Sequence, residues 1–211
     1  MLRITIADDH PVVLKGLKEI IEEHFDDAIV DISSSGYELL NKVSNNDYDI
    51  VLLDISLPDI NGLEVLREIR KKKRKLLVLI LSMYPEEQYA ARALKAGANG
   101  YLTKRSASDE LVLAVRKILS GKKYISPAFA EKMMLDFESD TEKLPHENLS
   151  DRELQVLCMI GKGKAVKEIA EELHLSSNTV RTYRTRILEK IGVKGTSELI
   201  HYALTHSLGE E

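Results

Sequence analysis

Ile50-Val51-Leu52-Leu53-Asp54-Ile55-Ser56-Leu57-Pro58 opens with four apolar residues in a row and then meets a lone carboxylate. A strand with one wet face alternates apolar with polar residues. A run without alternation belongs to a strand covered on both faces, as in the middle of a parallel sheet. Leu76-Leu77-Val78-Leu79-Ile80-Leu81 repeats the pattern and ends at Ser82. Working outward, Leu2 to Ala7, Ala28 to Ile32 and the short Gly100-Tyr101-Leu102 read as three further strands. Segments of helical period lie between them: Val12, Val13, Leu17, Ile20 and Ile21 make one stripe, and Leu63, Val65, Leu66 and Ile69 another. Tyr89 to Ala96 and Leu111 to Leu119 supply two more. Five βα repeats in residues 1–120 predict a doubly wound, five-stranded parallel sheet, with ligands expected at the carboxyl ends of its strands.

Those ends carry chemistry. The first strand runs into Asp8-Asp9, the third into Asp54 and the fourth into Ser82, while Lys104 follows the fifth closely. Three carboxylates converging on one crevice repel each other unless cations join them. Oxygen ligands in an open site suit Mg²⁺. With the ion and Lys104 offsetting charge, one carboxylate can attack a phosphoryl group and form an acyl phosphate. Acidic residues at strand ends are also ordinary turn formers; the coincidence with Ser82 and Lys104 is what favours a site.

Beyond Gly121 the pattern decays. Residues 121–146 read as a connector with one short helical stretch around Ala130 to Leu135, turning polar and aperiodic from Glu138 to His146. A capping box, Ser150-Asp151-Arg152-Glu153, then opens a small all-α domain over 147–211. Its four helices are expected near 151–161, 166–173, 177–191 and 196–206. The third is distinctive: Val180, Tyr183, Ile187 and Ile191 share one face, and Asn178, Arg181, Thr182 and Thr185 the opposite one. An apolar back with a front of short polar residues and Arg suits the second helix of a helix-turn-helix lying in a major groove. The competing reading is a small bundle with a solvated basic face.

The chain has 211 residues, 44% hydrophobic and 30% charged, enough for two small cores. The single cysteine, Cys158, excludes an intramolecular disulfide and reads as a core residue. No apolar run approaches the roughly 20 residues of a membrane span, and Met1-Leu2-Arg3-Ile4 does not begin a signal peptide. A soluble cytoplasmic protein is therefore expected. The six histidines show no ligand spacing, His10 reads as a loop residue, and Arg70 to Lys75 as a solvated helix end. The net charge of −4 gives no hint of nucleic acid. Yet from His174 to Lys194 five basic residues face one acid, Glu189, so positive charge gathers on the third helix and its edges.

Ile6-Ala7-Asp8-Asp9-His10-Pro11, Val51 to Pro58 with Gly62, and Ala96 to Lys104 resemble the receiver domain of two-component response regulators. Leu149 to Glu153, Lys167 to Ala170, Ser176, Thr179-Val180-Arg181 and Ile187 to Ile191 resemble the LuxR-type helix-turn-helix. The tandem is similar to the NarL/FixJ class of response regulators, whose receivers have the flavodoxin-like fold. That resemblance implies Asp54 as phosphoacceptor and Mg²⁺ held by Asp8, Asp9, Asp54 and the Ser56 carbonyl. It implies Lys104 and Ser82 on the phosphoryl oxygens, and Tyr101 as a switch residue that turns from exposed to buried. On the DNA side it implies Arg181, Thr182 and Thr185 toward the major groove and Lys167 and Thr179 on phosphates, with Asn178 and Arg184 beside them. Implied partners are a sensor histidine kinase, double-stranded DNA with a two-fold site, a second copy on activation, and RNA polymerase. No enzymatic turnover is implied beyond phosphoryl acceptance and slow self-dephosphorylation. An aspartyl phosphatase would place a second Asp two residues after the first, where this chain has Ser56. A glycine-rich phosphate loop after the first strand is also missing.

Overall fold

The computed structural model describes residues 1–138 and 144–208. They fall into two compact units, Met1–Glu138 and Ser139–Glu211. In the first, β1 (Leu2–Ala7), β2 (Ala28–Ser33), β3 (Ile50–Asp54), β4 (Leu77–Ser82) and β5 (Gly100–Thr103) form one sheet in the order β2-β1-β3-β4-β5. Every pair is parallel. The expected doubly wound sheet is what the chain builds. Strand order reverses between β1 and β3, which places the switch-point crevice beside Asp8 and Asp54. Ile50 to Leu53 and Val78 to Leu81 are buried throughout, in keeping with their lack of alternation.

Five helices alternate with the strands: α1 (Pro11–His24), α2 (Gly36–Asn45), α3 (Gly62–Lys72), α4 (Glu86–Lys95) and α5 (Ala107–Leu119). Helical period alone did not mark α2. Its start is fixed by contacts near and far. Ser35 caps it by accepting from the Glu38 N–H, and Asp59, from the loop after β3, accepts from the Gly36 and Tyr37 N–H groups at 2.8 Å each. Helix α1 faces the sheet with Leu14, Leu17 and Ile21, with Val13 and Ile20 packed beside them and Val12 85% exposed, so the stripe begins just after Val12 rather than at it. The Pro11-Val12-Val13-Leu14 run hides the phase of the helix. Gly62 opens α3 where its backbone passes β3; a Cβ there would stand 2.0 Å from the Asp54 carbonyl oxygen.

Two further expectations change. The basic run after α3 is not wholly solvated. Arg70 is half-buried and donates to the carbonyls of Gly97 and Leu76 and to Asn99 Oδ1, pinning α3 to the turn before β5. Nor does the first unit stop at residue 120. Tyr124 bonds back to β5, its N–H to Asn99 O and its carbonyl accepting from Tyr101 N–H, and its ring joins the core. Gly100 is required under it, since a Cβ would meet Tyr124 O at 2.7 Å. A two-residue apolar step, Tyr124-Ile125, is too short to carry a period. Helix α6 (Pro127–Glu138) is longer than the Ala130 to Leu135 stretch; Ser126 caps it, and residues 139–143 of the connector lie outside the described residues.

Among its described residues the second unit has a 3₁₀ turn (Pro145–Asn148) and four helices: α7 (Asp151–Gly161), α8 (Val166–Glu172), α9 (Ser177–Ile191) and α10 (Thr196–Thr205). The capping box forms, with Ser150 N–H donating to Glu153 at 2.8 Å and Glu153 N–H to Ser150 Oγ. Cys158 is buried in α7. Ser176 caps α9 through the Thr179 N–H, and Gly192, at φ 80, closes it in the left-handed conformation. Lys190 of α9 reaches Glu153 of α7 at 2.6 Å.

Candidate functional site

At the switch point, one ammonium joins two buried carboxylates. Lys104 Nζ lies 2.6 Å from Asp8 Oδ2 and 2.8 Å from Asp54 Oδ2, and both aspartates are almost completely inaccessible. Burial pushes the Asp54 carboxyl up to about 6; the Lys104 charge opposes that rise and the Asp8 charge adds to it. The Ser56 backbone N–H also bonds the Asp54 carboxylate and favours its charged form. Burial disfavours the Lys104 ammonium, but the two carboxylates outweigh it and its pKa is raised.

The third carboxylate, Asp9, stands at the rim. Asp8 Oδ2 is held by the Lys104 ammonium, whereas Asp9 Oδ1, although buried, has no donor aligned for a hydrogen bond among the described residues. His10, expected as a loop residue, stands against both acids. His10 Nδ1 lies 2.6 Å from Asp9 Oδ1 and 3.2 Å from Asp8 Oδ1, and the His10 backbone N–H donates to Asp8 Oδ1 at 2.9 Å. Asp8, Asp9 and His10 thus form a cluster with the compactness of a metal-ligand set. The signal was their adjacency just past the end of β1.

The fourth strand end is equally close-knit. Ser82 is fully buried; its carbonyl accepts from the Lys104 N–H at 2.8 Å and its Oγ from the Tyr84 N–H at 3.1 Å. Tyr101 is completely buried here, and its hydroxyl donates to Tyr84 O at 2.7 Å. Burial raises the phenol pKa, against the pull of the neighbouring Ser82 hydroxyl. Asp8, Asp54, Lys104, Ser82 and Tyr101 are therefore linked through β1, β3, β4 and β5.

In the second unit, Asn178, Arg181, Thr182 and Thr185 lie exposed along one face of α9. Arg181 Nη1 donates to Asn178 Oδ1 at 3.0 Å. The Thr182 and Thr185 hydroxyls donate to the carbonyls four residues back, at 3.0 and 3.1 Å, leaving their lone pairs free to accept. Thr179 is half-buried and close to the Ser176 cap. Lys167, on α8, is exposed, with Glu171 at 4.0 Å. Arg184 departs from its neighbours: it is half-buried on the flank of the apolar side, and its Nε is buried without a hydrogen bond. Its angular position on α9, about 60° from Arg181 toward Val180, explains this.

The response regulator receiver domain family matches residues 4–116, and the family of bacterial regulatory proteins of luxR type matches residues 147–203. Response regulator UvrY of Escherichia coli (strain K12) is 37% identical over 209 residues, spanning 99% of this chain and 96% of UvrY. The oxygen regulatory protein NreC of Staphylococcus carnosus is 36% identical over 214 residues, 98% of this chain and 99% of its own. In fold, the chain is similar to RcsB from Salmonella enterica serovar Typhimurium bound to promoter rprA in the presence of phosphomimetic BeF3⁻. That likeness has a TM-score of 0.65 at 23% identity, over 97% of this chain and 100% of RcsB. The fold, the switch-point carboxylates and both family matches together make this chain a response regulator of the NarL/FixJ class, with a receiver domain and a LuxR-type DNA-binding domain.

Proposed function

We propose that Asp54 accepts a phosphoryl group from a partner histidine kinase and that the acyl phosphate controls dimerisation and sequence-specific DNA binding, and so transcription by RNA polymerase. The observation that carries this reading is the Lys104 ammonium set between Asp8 and Asp54 in a buried crevice at the switch point. An Asp54 oxygen attacks phosphorus, the bond from phosphorus to the leaving group breaks, and an acyl phosphate forms. Lys104 balances charge on the phosphoryl oxygens, and the Ser82 hydroxyl donates to them. Ser82 and Tyr84 then carry the change to Tyr101 through the hydrogen bonds that already join them. The chain accepts and slowly loses the group without turning over a separate substrate.

The residues present fit a divalent ion. Asp9 Oδ1 is a buried oxygen without an aligned donor, and carboxylates with a carbonyl are the donor set a hard cation takes. Asp8, Asp9, Asp54 and the Ser56 carbonyl would hold Mg²⁺, which when bound neutralises developing charge on the phosphoryl oxygens. On α9, Arg181, Thr182 and Thr185 would meet base edges in the major groove of a two-fold site. Lys167 and Thr179 would meet phosphates, and Asn178 would orient Arg181. RcsB dimers bound to DNA provide a precedent for this fold on a duplex. No helix among the described residues is long and apolar enough to cross a membrane, which accords with the cytoplasmic setting that phosphoryl transfer and DNA binding require.

The direct test is labelling by acetyl phosphate with Mg²⁺, read by intact-mass spectrometry. The wild-type chain gains one phosphoryl group and Asp54→Ala gains none. Stoichiometric labelling of Asp54→Ala would place the acceptor elsewhere.

A further inference from the structure

The hydrogen bonds that join Ser82 to Tyr84 continue past Tyr101, into the connector. We propose that Glu86 is a positioning residue of the switch: its carboxylate holds the cap of α6, and phosphoryl transfer to Asp54 loosens that hold, so that the first turn of α6 frays. The inference rests on reading Asp54 as the phosphoacceptor and adds the step by which a change at Ser82 reaches α6.

The first argument is the tie itself. Glu86 opens α4 and is half-buried. Its carboxylate accepts from the Ser126 backbone N–H at 3.0 Å and also from the Ser126 hydroxyl. Ser126 in turn caps α6: its Oγ accepts from the Phe129 N–H at 3.1 Å, and its carbonyl from the Ala130 N–H at 3.0 Å. An ionised carboxylate can only accept, so the Ser126 proton points at Glu86 and a lone pair is left facing Phe129. Without Glu86 the hydroxyl is free to turn, and the capping bond weakens.

The second is the stiffness of the route. The Tyr84 N–H donates to Ser82 Oγ at 3.1 Å, and the Tyr84 carbonyl accepts from the Tyr101 hydroxyl at 2.7 Å. The Tyr84 ring stacks on Tyr89 of α4, with centroids 4.8 Å apart. Pro85, at φ −59, stands between Tyr84 and Glu86 and removes one backbone rotation. A pull on Tyr84 is therefore passed on to Glu86.

The third is that the far end is anchored elsewhere. The Tyr124 N–H donates to Asn99 O at 2.9 Å, its carbonyl accepts from the Tyr101 N–H at 3.0 Å, and its ring lies in the core. Phe129 is buried as well. Ser126 thus stays with β5, whereas Glu86 rides on the loop after β4. When the Ser82 hydroxyl is drawn to a phosphoryl oxygen, the two ends separate, and a hydrogen bond stretched to about 3.6 Å is lost.

The experiment follows amide hydrogen exchange in the full chain at Phe129 and Ala130, with and without acetyl phosphate and Mg²⁺, and intact mass reports labelling of the same samples. In the wild type, labelling is expected to speed exchange at these amides about fivefold or more. In Glu86→Ala and in Ser126→Ala, compared at equal labelling, exchange is expected to be fast in both states, with less than about a twofold further rise. Glu86→Gln, which keeps an acceptor oxygen, is expected to recover part of both the protection and the response. A cap with a structural role only would speed exchange in Glu86→Ala yet leave the rise on labelling intact, and that result overturns the proposal. Unchanged exchange in the labelled wild type overturns it without any variant, and leaves the phosphoacceptor reading standing. A wild-type chain that gains no phosphoryl group fails that reading, and the role of Glu86 falls with it.

Discussion

At the scale of single residues, Asp54 has a cost that folding imposes on it. Burial raises its carboxyl from an ordinary value near 3.8 to about 6, even with Lys104 at 2.8 Å. A raised carboxyl pKa favours the folded state fully below the unfolded pKa, and that contribution is lost as pH rises through about 6. At neutral pH the charged group is a net burden on the receiver domain, so removing the charge while keeping the shape should relieve it. Asp54→Asn is therefore expected to stabilise the chelator-treated protein at pH 7, by roughly 1–3 kcal/mol, with the gain shrinking toward pH 4. Urea titration at several pH values measures it; a variant less stable than wild type at pH 7 would show that Lys104 more than compensates the burial. Gly62 is constrained in the opposite way. Its missing Cβ would sit 2.0 Å from the carbonyl of the same Asp54, and backbone cannot yield as a flexible side chain can. Gly62→Ala should cost about 1–3 kcal/mol and slow labelling by acetyl phosphate, because α3 must move away from the loop that carries Ser56.

At the scale of elements, caps and ties decide what the periodicity does not. Glu153 closes the capping box of α7 and accepts from Lys190 of α9; burial would raise its carboxyl, yet Lys190 and Ser150 hold it below the usual range. A depressed carboxylate contributes stability above the unfolded pKa, near 4.5, that is lost as pH falls through the folded value. Acid unfolding of the second unit should accordingly begin below about pH 4.5 and be blunted in Glu153→Gln, which starts less stable at neutral pH. Gly192→Ala, in open space at φ 80, should cost about 1–2 kcal/mol through backbone strain alone. The same distinction explains what the sequence could and could not reveal. Unalternating strands such as Ile50 to Leu53, the acids at their ends and the capping box of α7 are local patterns, so the sheet, the crevice and the start of the second domain were legible. Helix α2 was not, because Asp59, 23 residues away in sequence, helps to hold its first turn. Tyr124 and Arg70 were misplaced for a similar reason. Each is fixed by hydrogen bonds to the segment around Asn99, which only the folded chain brings near. His10, expected as a plain loop residue, bonds the two residues immediately before it, a contact that no spacing pattern marks.

At the scale of the whole molecule, a net charge of −4 has to be reconciled with a DNA-binding domain. The second unit is itself close to neutral, since Glu168, Glu171 and Glu172 on α8 offset much of the positive charge around α9. Nonspecific attraction to a duplex grows with the number of phosphates neutralised, each adding about 0.9 to the slope of log affinity against log salt. Few cations are placed to contribute: Lys167, Arg181, Arg186, Lys190 and Lys194, of which Lys190 is already paired with Glu153. Salt dependence should therefore be shallow for a DNA-binding domain, and specificity should lean on α9 and on pairing of two copies. The two kinds of contact separate cleanly by substitution. Lys167→Ala should weaken binding to specific and random duplexes alike and lower the salt slope by about 1. Arg181→Ala should cost about 1–3 kcal/mol on the specific site and relax preference at one base pair. Arg184→Ala, whose side chain is half-buried on the flank of α9, should lower thermal stability with little change in the slope. Binding isotherms at three salt concentrations for the three variants decide the assignment. A drop of about 1 in slope for Arg184→Ala, with stability unchanged, would mean that this arginine turns outward to the phosphates and that the exposed face of α9 is wider than its free geometry shows.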